Sequence, residues 1–227
     1  MNVKQEISGL ILAQAKNIFL PFGEPGQINT ERLNLMPVRL DDAHVMYPHI
    51  TDAVTSLWIG WDTPKSQLDT TNAVLATLKL RERGEYQGWV ARLNWDHRDG
   101  SDMVGVVELV RLETPARGGA WYELDFWVTE EQWGKGYATE MAGAVIEWIK
   151  RNASYRVPCV NFSWTHGNNA SARVIKKFVG EQQPEIHYAE KNGVKLPVYH
   201  YVLDFSPPTL PPVTNKDSLL LEHINNR

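Results

Sequence analysis

A glycine-rich loop, placed between a strand-like run and a long amphipathic run, limits the folds open to this chain. The loop spans Trp133–Thr139 and reads Trp-Gly-Lys-Gly-Tyr-Ala-Thr. Residues 122–128 alternate and are rich in aromatics, as in a β-strand, whereas residues 140–149 carry apolar side chains at helical spacing. Two glycines at the start of a helix leave backbone N–H groups accessible beside the positive end of the helix dipole. The pattern predicts a strand–loop–helix unit that binds an anion such as a diphosphate.

The spacing within this loop does not match two common types of nucleotide-binding loop. The dinucleotide fingerprint needs a third glycine three residues after Gly136, where Thr139 stands. The P-loop needs a Lys-Ser/Thr pair after its last glycine, but Gly136 is followed by Tyr-Ala. A dinucleotide-dependent oxidoreductase or a nucleotide-dependent kinase is therefore disfavoured.

The loop resembles that of the GNAT superfamily of acyl-CoA-dependent N-acyltransferases. In that superfamily a Gln/Arg-x-x-Gly-x-Gly/Ala loop binds the coenzyme A pyrophosphate. Gly136 and Ala138 fill the small-residue positions, while Trp133 stands at the Gln/Arg position. That departure is typical of the RimJ/RimL-like branch, and the match to this branch runs through Glu140. The alternative is a tight turn that binds no ligand.

Composition indicates a soluble globular protein. Hydrophobic residues make up 43% and charged residues 22%, and the net charge of −4 argues against nucleic acid as a partner. No apolar run approaches the ~20 residues that span a bilayer, so we expect no membrane association. The N-terminus has no signal-peptide pattern, and the single cysteine, Cys159, fits a reducing cytosol. The expected location is cytoplasmic.

The element order predicts an α+β fold. Residues 1–27 form an N-terminal extension with a short helix, residues 28–205 the main domain, and residues 206–227 a Pro-rich tail. The domain reads as strand, two helices, three strands, helix, strand, helix and hairpin, with the first helix ending near Tyr47 because Pro48 follows. This is the order of the GNAT fold, a mixed, mostly antiparallel sheet flanked by helices. The N-terminal helix and the apolar tail suggest a homodimer.

A second motif supports the resemblance. Asn168-Asn-Ala-Ser171 matches the Asn-x-x-Ser that opens the last helix of RimL-like enzymes. The resemblance implies that Asn168 hydrogen-bonds the pantetheine arm or the substrate carbonyl. It also implies that Ser171 protonates the leaving thiolate, unless a bound water does so or the thiolate leaves unaided. An ordinary helix N-cap is the alternative. Other branches use a tyrosine four residues further along as the acid, and here that position is Ile175.

The general base is expected among three carboxylates. Glu123 and Asp125 lie two residues apart on one face of a strand, and neighbouring carboxylates tend to raise one pKa, as suits a base. Glu123 stands where the family's strand has its glutamate, and Asp125 replaces a glycine. Glu190 resembles a hairpin glutamate of RimL-like active sites. The alternative is that these acids are merely solvated.

The resemblance assigns the remaining site residues. Pantetheine is expected to contact backbone groups at the end of the strand, at Phe126, Trp127 and Val128. Acceptor contacts are expected near His49, Trp58 and Trp61, which alternatively serve packing or the surface. The predicted coenzyme-binding loop comprises Trp133, Gly134, Lys135, Gly136, Tyr137, Ala138 and Thr139.

The sequence therefore predicts an N-acetyltransferase that uses acetyl-CoA and no metal. The amine attacks the thioester directly in a ternary complex, because no Cys-His or Ser-His pair occupies a convincing nucleophile site. The acceptor is a small-molecule amine or a protein N-terminus. The competing hypothesis is a catalytically idle module of the same fold that senses acyl-CoA.

Overall fold

The computed structural model of the chain describes residues 25–59, 62–94, 103–113, 119, 121–152, 157–191 and 194–205. The predicted N-terminal helix, the Pro-rich tail and Trp61 lie outside these residues. The predicted domain boundaries therefore stay predictions.

The described residues form one eight-stranded sheet in the order β1-β2-β3-β4-β5-β6-β8-β7. All neighbours are antiparallel except β5 and β6, which run parallel. The predicted mixed, mostly antiparallel sheet is confirmed. The strands are β1 Ile28–Asn29, β2 Leu33–Pro37, β3 Tyr86–Leu93, β4 Met103–Arg111, β5 Tyr122–Val128, β6 Cys159–Thr165, β7 Glu185–Lys191 and β8 Val194–Asp204.

The helices flank this sheet, and their starts follow local capping signals. Ser66 caps α3 by accepting a hydrogen bond from the backbone of Asp69. The prediction that the first helix ends near Tyr47 was wrong, because that helix continues through Pro48 to Ile50. Ile50 is buried, and its packing offsets the cost of a proline in the last turn. The helices are α1 Asp42–Ile50, α2 Thr55–Trp58, α3 Gln67–Glu82, α4 Tyr137–Asn152 and α5 Asn169–Val179.

The two faces of the sheet bury different clusters. The larger cluster packs α4 and α5 against one face and includes Leu124 of β5 and Met141 of α4. The smaller cluster packs α1 and α3 against the other face, and Trp127 of β5 packs against it. Because strand residues alternate between faces, Glu123 and Asp125 lie on the face of α1 and α3.

The sheet opens between β5 and β6. Among the described residues these strands share a single pair, Glu123 with Asn161, near the start of β5. On its other side β5 pairs with β4 along its whole length, from Tyr122 to Val128. Beyond Glu123 the parallel strands therefore diverge and leave a gap in the middle of the sheet.

Of the helices in the described ranges, none is long and apolar enough to cross a bilayer. Within the same ranges, no three His, Cys, Asp or Glu side chains group as metal ligands would.

Candidate functional site

A cavity of about 540 Å³ lies at the end of β5, where that strand has diverged from β6, and its volume is ordinary for a small-molecule site. The end of β5, the glycine loop and the start of α5 line it together with residues of α2. The predicted base carboxylates, Glu123, Asp125 and Glu190, do not line it, and neither does His49. The predicted site residues that line it are Trp58, Phe126, Trp127, Val128, Trp133, Gly134, Gly136, Tyr137, Ala138, Thr139, Asn168 and Ser171.

The glycine loop has the backbone geometry that anion binding needs. Gly134 and Gly136 adopt φ angles of +74° and +84°, which favour glycine, and α4 begins at the next residue, Tyr137. The N-terminal end of a 16-residue helix therefore borders the cavity. Trp133 ties the loop to the strand, because its Nε1 donates to the carbonyl oxygen of Val128 at 2.8 Å.

Lys135 is the one predicted loop residue that does not line the cavity. Its Nζ donates to Gln132 Oε1 at 2.9 Å, so the side chain folds back along the loop. The predicted place of Lys135 in the coenzyme-binding loop therefore stays a prediction for its side chain.

Helix α5 contributes both predicted and unpredicted residues. Asn168 caps the helix, because its Oδ1 accepts from the backbone N–H of Ser171 at 3.1 Å, so the ordinary N-cap interpretation is confirmed. The coenzyme roles of Asn168 and Ser171 stay predictions. Arg173 and Lys177 line the cavity one helical turn apart, and Lys177 Nζ donates to Thr139 Oγ1 at 3.1 Å. They add two cations that the sequence analysis missed, although their i, i+4 spacing on the helix opened by Asn168 was visible.

Ile175 lies between these residues but faces elsewhere. It is 1% exposed and belongs to the larger core cluster. The position at which other branches have a tyrosine acid is therefore used for packing.

A row of three carboxylates crosses the sheet on the face of α1 and α3. Glu123 accepts a short hydrogen bond from Ser163 Oγ on β6 and a further bond from the Asn161 side chain. Asp125 lies two residues further along β5, where the gap to β6 opens. Glu108 stands directly opposite Asp125 on β4 and accepts from Tyr86 Oη at 2.8 Å. The sequence analysis missed Glu108, because only the register between β4 and β5 places it opposite Asp125 and that register is not evident from the sequence.

The environment disfavours ionisation of all three groups. Burial raises the pKa of Asp125 well above its usual range, and the charges of Glu123 and Glu108 raise it further. Burial also raises the pKa of Glu123, although the hydrogen bonds from Ser163 and Asn161 act in the opposite direction. The pKa of Glu108 is raised by burial as well, and the bond from Tyr86 partly offsets that rise. Asp125 therefore holds a proton most readily.

Of the predicted acceptor-side residues, Trp58 lines the cavity. The stretch predicted as a Trp-rich loop contains the short helix α2, and its Trp58 ring lies against Gly167 across the cavity. His49 lies at the end of α1, with Nδ1 3.9 Å from Glu131 Oε2. Trp61 is not described, and contact of any of the three with an acceptor stays a prediction.

Glu190 is not brought to the other carboxylates. Its partner in the hairpin is Lys195, and strand alternation from His200, which pairs with Ser163, places Glu190 on the opposite face from Glu123. Its side chain is exposed. The catalytic assignment of Glu190 stays a prediction without a contact to support it.

Comparison with protein families identifies a match over most of the described domain. Residues 32–178 match the family model of a GNAT acetyltransferase domain. No curated protein matches the sequence significantly.

Several solved structures share the fold at low sequence identity. RimL, a ribosomal L7/L12 α-N-protein acetyltransferase in complex with coenzyme A, is 17% identical, with a TM-score of 0.62 over 80% of this chain and 100% of that chain. A GNAT-family acetyltransferase from Bacillus anthracis is 18% identical, with a TM-score of 0.62 over 79% and 99% of the two chains. A ribosomal-protein-S5-alanine acetyltransferase from Vibrio fischeri is 14% identical, with a TM-score of 0.61 over 81% and 100%.

Proposed function

The chain belongs to the GNAT acetyltransferases, and we propose that it transfers an acetyl group from acetyl-CoA directly to a primary amine while both substrates are bound. The observation that carries this proposal is the cavity at the end of β5, where that strand diverges from β6. The glycine loop and the start of α5 border it, and its wall includes Phe126, the residue that directly follows Asp125.

The residues around the cavity suit coenzyme A. The N–H groups of Gly134, Gly136 and the first turn of α4 receive the diphosphate. Arg173 and Lys177 supply cations for the phosphates from the facing helix. Phe126–Val128, at the diverging end of β5, run beside the pantetheine arm and offer backbone groups. Acetyl-CoA supplies the acetyl group in activated form, as a thioester.

Asp125 is proposed as the general base. The amine attacks only after its ammonium form has lost a proton, and a general base on the enzyme accepts that proton. The raised pKa of Asp125 suits this task. Asp125 does not itself line the cavity, but it directly precedes Phe126, which does. Glu123 is engaged with Ser163 and Asn161, which favours a supporting role: it helps to bind the ammonium and to keep the Asp125 pKa high.

Ser171 is proposed to protonate the leaving thiolate. It lies in the first turn of α5 and lines the cavity, while Ile175 is buried in the core. The ordinary pKa of a thiol, about 8.5, makes this protonation a modest contribution to the rate.

The acceptor is proposed to enter from the side of α1 and α2. Trp58 lies at that rim, and a tryptophan ring binds a cationic amine through its π face. The carboxylate row favours an acceptor that arrives as an ammonium ion. Both a small-molecule amine and a protein N-terminus meet this requirement, and structural neighbours of this chain include enzymes that modify ribosomal proteins.

Thiol release from acetyl-CoA tests the proposal. The purified protein is incubated with acetyl-CoA and a panel of amines that comprises polyamines, amino acids, aminoglycosides and peptides with a free N-terminal serine or alanine. We expect acceptor-dependent thiol release and an acetylated product with a mass increase of one acetyl group. Tight coenzyme binding with no release for any amine or for a cell extract would instead support the acyl-CoA sensor. Thermal shifts with ATP or NAD, but not with coenzyme A, would contradict the assignment of the loop.

A further inference from the structure

A network of one arginine and one glutamate holds the glycine loop from outside the cavity. Arg32 directly precedes β2, and Glu140 lies in the first turn of α4. Arg32 Nε donates to Glu140 Oε2 at 2.7 Å, and its Nη2 lies 2.5 Å from the same oxygen. The backbone N–H of Arg32 and the hydroxyl of Thr30 both donate to Glu140 Oε1, at 3.0 and 2.5 Å. One carboxylate thus receives donors from two residues of the opening segment.

The remaining nitrogen of the guanidinium reaches the loop itself. Arg32 Nη1 donates to the carbonyl oxygen of Lys135 at 3.0 Å, and the guanidinium carbon lies 4.5 Å from the centroid of the Tyr137 ring. Arg32 therefore spans the residues on either side of Gly136.

Holding the Lys135 carbonyl has a consequence for the opposite end of the same peptide unit. In a planar trans peptide the C=O and the following N–H point in opposite directions. A carbonyl turned outward to Arg32 aims the Gly136 N–H toward the cavity side. Gly136 lines the cavity, and Arg32 Nη2 lies 3.6 Å from the position a Cβ would take on Gly136. Without this contact, the positive-φ glycines on either side of Lys135 would leave the peptide between Lys135 and Gly136 free to rotate.

The pair also balances charge at the helix start. A lone carboxylate in the first turn of α4 would repel an anion bound at the same helix end. The hydrogen bonds from Thr30 and Arg32 outweigh the effect of burial and lower the pKa of Glu140, so it stays ionised and pairs with Arg32. The planar fork of arginine satisfies both the carboxylate and the carbonyl, which a lysine ammonium does not do in the same geometry.

We propose that Arg32, anchored by Glu140, is a positioning residue that orients the Gly136 amide for the diphosphate of the acyl donor. The inference rests on the proposed use of acetyl-CoA. Arg32 acts through the loop and takes no part in the transfer of the acetyl group.

The test compares two donors in the variant Arg32→Gln. Acetyl-CoA carries the diphosphate, whereas an S-acetyl-pantetheine thioester lacks it. We expect the Kd of coenzyme A and the KM of acetyl-CoA to rise about 10–100-fold, the range expected for loss of charge-assisted hydrogen bonds. The kcat at saturation and the kcat/KM of the short donor should change less than about 3-fold, because neither depends on the diphosphate loop.

Matched variants separate this effect from general destabilisation. Arg83 makes the same kind of fork, with Nε and Nη2 both donating to Glu85 Oε2 at 3.0 and 2.9 Å, but this fork, unlike that of Arg32, is not bonded to the glycine loop. Arg83→Gln should leave both donors unaffected. Arg32→Lys keeps the positive charge and should still weaken acetyl-CoA binding. If Arg32→Gln does not fold, the two-donor comparison is made with Arg32→Lys.

Three outcomes are decisive. An unchanged Kd of coenzyme A in both Arg32 variants overturns the inference. An equal loss with both donors overturns it as well, because that result indicates a purely structural role. If the unmodified protein binds no coenzyme A, the proposed function itself fails, and the two failures are thereby distinguished.

Discussion

Asp125 is a residue that stability alone does not favour. It is a half-buried carboxylate with one carboxylate opposite it, Glu108, and another two residues away, Glu123. Burial and both negative charges raise its pKa, so ionisation of this group destabilises the folded chain. Strained electrostatics of this kind concentrate at functional sites, where the destabilised ionised form supplies a base.

Asp125→Asn should separate stability from activity. We expect kcat to fall by about 10²–10⁴-fold, the usual contribution of a general base, with little change in the Kd of coenzyme A. The unfolding temperature should rise at neutral pH, by roughly 2–4 °C for each kcal/mol gained. Because the pKa of Asp125 is higher in the folded than in the unfolded state, the folded protein loses stability as the pH rises above the unfolded-state pKa. The stability gained by Asp125→Asn should therefore be absent near pH 3 and grow from about pH 4 upward.

Glu147→Gln is the control for that variant. Glu147 is exposed on α4 and pairs with Lys150 at 2.8 Å, away from the carboxylate row. It should change neither kcat nor the pH dependence of unfolding by a comparable amount. An Asp125→Asn variant with unimpaired kcat would assign the base to another group.

Glu108→Gln should move the pH dependence of the reaction. The amide still accepts the hydrogen bond from Tyr86, but the negative charge opposite Asp125 is gone, so the pKa of Asp125 falls. The base is then ionised at lower pH, and the acidic limb of the kcat/KM profile should shift to lower pH. The ratio of variant to unmodified enzyme, measured with one acceptor, cancels the titration of the acceptor. A limb that stays in place or moves upward contradicts the role of Glu108.

Among the elements, the loop and the helix that follows it act as one unit. The left-handed backbone at Gly136 aims an amide toward the cavity, and α4 adds its dipole at the same point. Trp133 binds the end of β5 from the other side, so β5, the loop and α4 are linked by hydrogen bonds. If the loop binds the diphosphate as proposed, its backbone N–H groups contribute more than the side chain of Lys135, which turns back to Gln132.

Gly136→Val should abolish measurable coenzyme A binding, by an increase in Kd of about 100-fold or more. A β-branched residue at a φ of +84° forces the peptide into another conformation and removes the amide from the cavity side. Gly180→Val is the matched control, because Gly180 also has a positive φ, +62°, with no atom near its Cβ position, but caps the far end of α5. It should lower the unfolding temperature without changing the Kd. Equal affinity in the Gly136 variant would refute the loop assignment.

At the scale of the whole molecule, the sheet is two halves with a narrow junction. Strands β1 to β5 form one half and β6, β8 and β7 the other, and the described residues of β5 and β6 share one pair. The cavity is lined from both sides of this junction: Val128 ends β5, and Asn168 caps the helix that follows β6. A ligand in this cavity therefore adds contacts where the sheet itself has few.

Coenzyme A should stabilise the chain strongly. At 100 times its Kd the ligand adds about 2.7 kcal/mol, which corresponds to about 5–11 °C in unfolding temperature for a domain of this size. Amide hydrogen exchange should slow both at the end of β5 and in the first turn of α5. The Gly136→Val variant should show neither effect. Protection confined to one half of the sheet would indicate a binding mode that does not bridge the gap.

Local signals in the sequence were sufficient for several features. The helix that Asn168 opens and the strand–loop–helix unit around Gly136 each depend on residues a few positions apart, and both were predicted. The first helix was misjudged at Pro48, because burial of Ile50 outweighed a local preference. The pairing of Glu108 with Asp125 was not predictable, since it depends on strand register.

The sequence alone specified the glycine loop between β5 and α4, the order of the main elements and the two carboxylates of β5, because backbone conformation and strand alternation follow from neighbouring residues. Only the tertiary structure decided which groups surround them: Glu108 beside Asp125, Arg173 and Lys177 across from the loop, and Arg32 behind it. Arg32 and Glu140 are 108 residues apart, so no local sequence pattern predicts that they pair. The physical reason is that pKa values and loop orientation depend on contacts through space, which are formed when the sheet assembles and the helices pack on it.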